Sequence, residues 1–383
     1  MKKWLEKSAL LLVGILLALA GTEMISRVFW ERITGLPKGN PISFVTSGDY
    51  ENIPPGAFVW SGPLGAVKEF HNVSSRNRLG FHDYDYGVHK PDGTFRIVVV
   101  GDSFVEAKEV PISKNFAKIL ERKLNEFHDS RVEVLAFGRS GNGAVKNLEV
   151  LRDIGLCFQP DLVLMQFLSN DPIDDDPHGA ADQKRQNALR KEHVEDLSVL
   201  YPRYLLLEKS RFNQILALKT ARWVQGIQTR KHADLDENRF VHASMLIFSH
   251  QHAGRWKDAW NNSQKHILQA RDISLEAGSE FLLVSFPEFW RMGDEKSRWR
   301  YVRTISPDSH QDDWDFDMTD RRLERFCQKA DVPFLSLVHE FRREYSKSKK
   351  PFHFTYDMHL NERGHELAAS ILFEYIVQSP LLQ

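Results

Sequence analysis

The chain has 383 residues, 42% of them hydrophobic and 27% charged, which is typical of a globular protein with a substantial core. Lys and Arg number 51 against 52 for Asp and Glu, so charge does not favour nucleic acid or another polyanion as a partner. Two cysteines, Cys157 and Cys327, are too few for a disulfide scaffold or a cysteine zinc site. We expect buried free thiols, or one disulfide if the domain is exported.

The amino terminus carries an export or membrane signal. Three lysines precede an almost wholly apolar run from Ser8 to Ala20. Ala18 and Ala20 would allow cleavage after Ala20, whereas the residues that follow extend the apolar helix to about the length of a bilayer crossing. Glu23 and Arg27, four residues apart, can pair at the far interface and do not rule out spanning. We expect a retained anchor with an extracytoplasmic (periplasmic or cell-surface) domain, and secretion after cleavage as the alternative.

Five apolar runs predict the strands of a parallel sheet buried on both faces. Amphipathic segments alternate with them and predict helices, the first of which follows Ser113 as its N-cap. This alternation predicts right-handed βαβ crossovers and a doubly wound α/β fold. The predicted strands cover residues 95–100, 132–137, 161–167, 281–286 and 332–337, and the predicted helices cover 116–127, 145–154, 256–277, 319–330 and 362–376.

The remaining segments predict the domain organisation. Residues 1–36 form the signal anchor, and residues 37–93, rich in Gly, Pro, Asn and aromatics, form an irregular extension. The α/β domain occupies residues 94–383, interrupted at about 172–255 by a charged, partly helical insertion that is a candidate lid.

Polar residues follow the first three predicted strands, where open parallel sheets bind ligands. Ser103, in Gly-Asp-Ser-Phe, is a candidate nucleophile at a helix amino terminus. Gly141 lies in a glycine-rich turn whose backbone N–H groups can approach a ligand closely. Asn170 can supply a side-chain amide. We expect Gly141 and Asn170 to donate hydrogen bonds to an oxyanion.

A histidine with a nearby carboxylate precedes the last predicted helix. His359 is the candidate general base, and Asp357, two residues upstream, is the candidate orienter of its imidazole. His365 is a weaker candidate, because it should fall within the first turns of the helix as a partly exposed or capping side chain.

Together these residues resemble the blocks of the SGNH, or GDSL, hydrolase family, from about Asn77 to the carboxyl terminus. The resemblance implies a flavodoxin-like esterase fold in which Ser103, Asp357 and His359 are catalytic and Gly141 and Asn170 form the oxyanion hole. There are departures: Ala107 replaces a frequent Gly, the Asn170 block lacks its usual Gly, and the last block reads Asp-x-His. The shorter spacing resembles membrane-associated members, including polysaccharide O-acetyltransferases.

The resemblance implies a serine esterase that hydrolyses acetyl or other short-chain esters through an acyl-serine intermediate, with no cofactor. Its expected partners are an acyl-ester substrate, including an acylated polysaccharide, and the membrane. Two alternatives stay open. One is an O-acetyltransferase that acts on an envelope or extracellular polysaccharide, and the other is a non-catalytic, membrane-tethered envelope assembly protein.

Two further clusters are open to more than one interpretation. The acidic residues Asp171, Asp174, Asp175 and Asp176, with His178, lack the spacing of a calcium loop and favour a solvated turn, so no metal site is expected. The aromatic residues Phe289, Trp290, Trp299 and Tyr301 follow the fourth strand, where they pack in the core or line an acyl or sugar pocket.

Overall fold

The computed structural model describes most of the chain outside the predicted insertion. The described ranges are 2–29, 57–64, 67–176, 256–293, 310–354 and 357–382, with residues 32, 210, 212, 215, 247–250, 254, 295, 298, 299 and 302 between them. The insertion predicted at 172–255 therefore lies almost entirely outside the described residues.

The N-terminal region begins with helix α1 (Lys2–Val28). Its segment Leu10–Val28 is long and apolar enough to cross a membrane or to act as a signal sequence. The expected Glu23–Arg27 pair is present, with Arg27 Nε donating to Glu23 Oε1 at 2.8 Å.

An antiparallel hairpin follows, formed by β1 (Ala57–Leu64) and β2 (Val67–Ser75). The prediction that residues 37–93 are irregular is therefore wrong for this part of the extension. The pairing shifts register between Ser61 and Pro63, and a bulge with a proline interrupts the period-two pattern by which a strand is recognised.

The central sheet has five parallel strands in the order β4-β3-β5-β6-β7. Their bounds are β3 Thr94–Gly101, β4 Arg131–Gly138, β5 Leu162–Phe167, β6 Glu280–Ser285 and β7 Phe334–Ser336. The chain passes from β3 to β4 on one side and then to β5 on the other side of β3. The crevice at this reversal of strand order is where doubly wound sheets bind ligands.

Helices cover both faces of the sheet, which confirms the doubly wound α/β fold. Their bounds are α2 Ser103–Glu106, α3 Phe116–Phe127, α4 Ala144–Asp153, α5 Asp171–Asp174, α6 Lys257–Glu276, α7 Met318–Ala330, α8 Val338–Ser348 and α9 Glu362–Gln378. Alternate residues of β3 face opposite cores, with Val98 on the side of α4, α6 and α7, and Ile97 on the side of α3, α8 and α9.

Three local predictions differ from the structure. Asn115, not Ser113, caps α3, because its side chain accepts from the Ala117 N–H at 3.0 Å while Ser113 lies in a preceding 3₁₀ turn. Helix α8 was not predicted, since it begins two residues after β7 ends and has no capping side chain. Both cysteines are free, but Cys157 is exposed and only Cys327 is buried, so the prediction of two buried thiols is wrong for Cys157.

Candidate active site

Ser103 lies where β3 turns into the one-turn helix α2. Gly101 ends the strand, and a Cβ there would lie 2.3 Å from Oε1 of Gln166 on β5, so the close packing of the two strands requires glycine. The same Gln166 oxygen accepts from the Asp102 N–H at 2.8 Å. Asp102 caps α2 by accepting from the Phe104 N–H at 2.9 Å. These contacts fix the turn that presents Ser103.

His359 and Asp357 form a hydrogen-bonded chain with Ser103. His359 Nε2 lies 2.8 Å from Ser103 Oγ, and His359 Nδ1 lies 2.6 Å from Asp357 Oδ1. An ionised carboxylate only accepts, so Nδ1 carries the proton in the neutral ring and Nε2 accepts from the serine hydroxyl. These distances are the ones that a serine nucleophile, a general base and an orienting carboxylate require.

The loop before α9 explains how the short Asp-x-His spacing reaches this geometry. Met358, between the two residues, has a left-handed backbone with φ of 72°, and the His359 N–H donates to Asp357 Oδ1 at 3.3 Å. The Phe354 N–H donates to the His359 carbonyl at 2.8 Å, which holds the loop against the preceding segment. Because Met358 is left-handed, the chain turns within one residue, and the side chains of Asp357 and His359 can hydrogen-bond although only Met358 separates them.

A second carboxylate, missed by the sequence analysis, faces the same edge of the imidazole. Glu109 Oε1 lies 3.6 Å from His359 Nδ1, and the Glu109 side chain is only 2% exposed. Burial alone lowers the pKa of His359, but the carboxylates of Glu109 and Asp357 outweigh it and raise this pKa to about 10. Burial raises the pKa of Glu109 itself to about 7.

The three groups Glu109, Asp357 and His359 also present potential metal-ligating atoms within 4.8 Å of one another. The 2.6 Å between Nδ1 and Asp357 Oδ1 is a hydrogen-bond distance. Two ligands of a tetrahedral zinc ion, each about 2.1 Å from the metal, stand about 3.4 Å apart. The geometry therefore fits a proton between the two atoms better than a metal ion.

Gly141 lies in the turn after β4, with φ of 77°, a backbone conformation that favours glycine. This turn is tied to the Ser103 segment. The Ser140 N–H and Oγ both donate to Glu106 Oε2, at 2.9 and 2.5 Å, and the Arg139 N–H donates to the Gly101 carbonyl at 3.1 Å. Gly141 therefore belongs to a loop that is anchored on α2.

Asn170 stands at the N-cap position of α5 after β5, on the opposite side of β3 from Gly141, and its side chain makes no capping hydrogen bond. Its Nδ2 donates to Asp174 Oδ2 at 2.6 Å, which fixes the orientation of the amide. Because the amide carries two N–H bonds, one remains for a second acceptor. The structure thus brings the two predicted oxyanion donors to the two strands that flank β3.

His365 and the acidic segment at 171–176 differ from what the sequence predicts. His365 is buried, not partly exposed: its Nδ1 accepts from the Phe116 N–H at 3.3 Å, and burial lowers its pKa to about 3. The acidic segment is not a solvated turn. Asp171 is fully buried, and burial with neighbouring carboxylates raises its pKa well above the usual range. Burial also raises the pKa of Asp174, to about 6. His178 lies outside the described residues.

The predicted aromatic cluster is only partly described. Phe289 packs edge-on against His353 with ring centroids 6.1 Å apart, and Phe104 lies 5.2 Å from the His359 ring. Trp290 is half-buried against the core. Tyr301 lies outside the described residues, so a pocket built by this cluster stays a prediction.

No protein-family model and no curated protein matches the sequence. Solved structures that match this chain include an acetyl xylan esterase, AlAXEase, at 11% identity and a TM-score of 0.42 over 74% of this chain and 100% of the other. A lipolytic protein assigned to the G-D-S-L family, from Desulfitobacterium hafniense DCB-2, has 8% identity and a TM-score of 0.39 over 73% and 98%. A two-domain esterase active on acetylated mannans has 11% identity and a TM-score of 0.40 over 74% and 49%.

The printed names of these structures are those of two esterases and of a lipolytic G-D-S-L protein. With TM-scores of 0.39 to 0.42 these matches carry no argument about this chain, and the case for a function rests on the site.

Proposed function

We propose that this protein is an SGNH-type serine esterase that hydrolyses small acyl esters through an acyl-serine intermediate. The observation that carries the proposal is the hydrogen-bonded chain Ser103–His359–Asp357 at the strand crevice. A serine hydroxyl is a weak nucleophile, and a base within hydrogen-bond reach is what activates it.

In the proposed cycle, Ser103 Oγ attacks the ester carbonyl carbon while His359 Nε2 takes the hydroxyl proton. The Gly141 N–H and the free N–H of the Asn170 amide hold the oxyanion that forms. Collapse of the tetrahedral intermediate breaks the bond to the alcohol, which leaves with the proton from Nε2. A water molecule then attacks the acyl-serine carbonyl carbon and gives a proton to Nε2. Collapse of this second tetrahedral intermediate breaks the bond from the carbonyl carbon to Ser103 Oγ, releases the acid and returns the Nε2 proton to Oγ. Asp357 keeps the Nδ1 proton in place throughout.

The setting favours an ester outside the cytoplasm. Helix α1 supplies a hydrophobic segment of bilayer length preceded by lysines, as expected for an anchor whose lysines stay inside. We infer a membrane-tethered, extracytoplasmic domain and an acylated envelope or extracellular polysaccharide as the substrate class. Transfer of the acyl group to a sugar hydroxyl is the same chemistry with a different second nucleophile. The non-catalytic alternative leaves the assembled hydrogen-bonded chain without a role.

The test is ester cleavage by the full chain in detergent micelles. We expect hydrolysis of p-nitrophenyl acetate and slower hydrolysis of longer acyl chains, with a loss of about 10⁴-fold or more in Ser103→Ala. Ser370→Ala is the matched control, since Ser370 is half-buried on α9 and its hydroxyl donates to the Glu366 carbonyl of the same helix at 2.8 Å. Undiminished cleavage by Ser103→Ala would overturn the proposal.

A separate assay distinguishes water from a sugar hydroxyl as the nucleophile that attacks the acyl-serine. We expect the wild type to release acetate from an acetylated polysaccharide in water. If the protein is instead a transferase, added oligosaccharide accelerates p-nitrophenol release and becomes acetylated, as mass spectrometry would show. Acetylated oligosaccharide with no free acetate would replace the hydrolase assignment by the transferase one.

A further inference from the structure

Glu109 is held in place by contacts from both sides. Helix α2 ends at Glu106, and Ala107 takes a left-handed conformation with φ of 49°, so the chain reverses after the helix. The Val110 N–H donates to the Ala107 carbonyl at 3.3 Å. The side-chain amide of Asn72, on β2, donates to the carbonyls of Lys108 and Val110, both at 2.8 Å. These hydrogen bonds hold the residues on either side of Glu109, so that its buried carboxylate points toward His359.

Burial makes the ionised carboxylate of Glu109 electrostatically costly, and His359, the Glu109 backbone N–H and Lys108 all offset this cost. A buried carboxylate has to be compensated by a hydrogen bond or an opposite charge. Lys108, beside it in the chain, directs its Nζ to Glu106 Oε2 at 3.4 Å. The cationic form of His359, with Nδ1 at 3.6 Å, is an opposite charge that Glu109 faces directly. Asp357 already accepts from Nδ1 at 2.6 Å, so Glu109 acts at a distance longer than a hydrogen bond.

We propose that Glu109 is a second positioning carboxylate of this site, which shares the Nδ1 edge of His359 with Asp357. The inference rests on the proposed function and deepens it. Its negative charge stabilises the imidazolium that forms when Nε2 takes the serine proton, and it can accept from Nδ1 when Asp357 is absent. As a consequence, His359 keeps its proton to higher pH, so turnover rises as the solution becomes more alkaline.

Other charged or titratable groups also act on this environment. His353 and His365 interact electrostatically with His359 from the loop before the site and from α9. Asp102 acts on His359 from the turn before α2. Asp174 and Glu288 act on Asp102, and Lys108 acts on Glu109. Replacing Glu109 alone leaves all of these in place.

The first experiment is the pH dependence of kcat/KM in Glu109→Gln, which removes the charge and keeps the shape. We expect its acidic limb to move down by about 1 to 3 pH units, because the histidine loses a proton more easily without the second carboxylate. Glu366→Gln is the control: it also removes one negative charge, but from an exposed ion pair with Lys123 at 3.0 Å on α9. The acidic limb of Glu366→Gln should stay at its wild-type position. The acidic limb of Glu109→Asp, which keeps the negative charge, should lie between those of Glu109→Gln and the wild type.

A double-mutant comparison tests the shared orienting role. Asp357→Ala should lose at least about tenfold more kcat/KM in the Glu109→Gln background than in the wild type, since the remaining carboxylate otherwise substitutes for the lost one. A purely structural Glu109 would give additive losses. Thermal unfolding of each variant shows that it is folded at the assay temperature.

A readout that needs no turnover separates this proposal from the proposed function. The imidazole of His359 is titrated by NMR on protein with ¹³C-labelled histidine, its signal assigned by loss in His359→Gln. We expect a lower titration midpoint in Glu109→Gln than in the wild type. An unchanged midpoint and additive losses would overturn the role of Glu109. A shifted midpoint with ester cleavage that survives Ser103→Ala would instead overturn the esterase assignment and leave Glu109 as the partner of His359.

Discussion

Gly138 is the residue at which a single methyl group should most directly displace the nucleophile. It ends β4, and α2 packs on it backbone to backbone. A Cβ at Gly138 would lie 2.1 Å from the Glu106 nitrogen, 2.4 Å from the Val105 carbonyl carbon and 2.8 Å from the Glu106 Cα. None of these atoms belongs to a flexible side chain, so Gly138→Ala forces the helix away from the strand.

The size of the effect follows from these distances. Ordinary contact of a Cβ with these atoms begins at 3.4 Å, so α2 has to move by about 1 Å. Ser103 starts this helix and would move with it, away from His359 Nε2 at 2.8 Å. A displacement of about 1 Å in a reacting group costs roughly 10²-fold in rate. Overpacking at a buried backbone contact costs about 1 to 3 kcal/mol of unfolding free energy.

The assay is kcat/KM for p-nitrophenyl acetate together with thermal unfolding of Gly138→Ala. Gly278→Ala is the matched control, because its Cβ meets open space and its φ of 78° makes the substitution strained for backbone reasons alone. We expect the control to lose stability and keep its kcat/KM. The reasoning is refuted if Gly138→Ala keeps wild-type kcat/KM, or loses no more of it than Gly278→Ala.

Three further predictions concern the oxyanion donor, a buried acid and the anchor. Asn170→Ala should lower kcat by about 10² to 10³-fold, with an unfolding midpoint close to the wild type, since it removes one oxyanion donor; a loss below fivefold would contradict that role. Asp171 keeps its proton in the folded state to higher pH than in the unfolded state, so unfolding free energy falls as pH rises, by up to about 1.4 kcal/mol per unit. Asp171→Asn removes this dependence, so the unfolding midpoint of the variant should rise relative to that of the wild type between pH 5 and pH 8. If the two midpoints differ by the same amount at both pH values, the raised pKa of Asp171 is refuted. Deleting residues 1–29 should move the protein and its esterase activity from the membrane fraction to the soluble one, and a chain that still sediments with membranes would contradict anchoring by α1.

The fold could be predicted to a large extent because the sheet strands are continuous apolar runs. Every predicted strand overlaps an observed one, and glycine and polar residues mark where β3, β4 and β5 end. The proximity of Ser103 and His359 could also be predicted from the topology. Ser103 follows the carboxyl end of β3, and His359 lies in the loop before the last helix, α9. Hairpin β1–β2 was not predicted because a bulge with a proline interrupts its alternating pattern. Helix α8 was not predicted because it begins two residues after β7 and has no capping side chain.

The surroundings of the imidazole could not be predicted from the pattern of residues. Glu109 appears in the sequence as an ordinary acidic residue between Lys108 and Val110. It reaches His359 because Ala107 reverses the chain and Asn72 clamps the turn from 36 residues upstream. The one available signal was Ala107, which stands where a glycine is frequent and takes the left-handed conformation that glycine favours. Long-range hydrogen bonds of this kind leave no local period.

The most direct measurement of the central claim is labelling by a fluorophosphonate probe, followed by peptide mass mapping. Because the probe reacts with a serine hydroxyl that an adjacent base activates, we predict one adduct in the wild type, on the peptide that contains Ser103. Labelling should disappear in Ser103→Ala, fall strongly in His359→Ala and persist in Ser370→Ala. An adduct on another residue, or no adduct on a folded wild-type chain, would contradict the account.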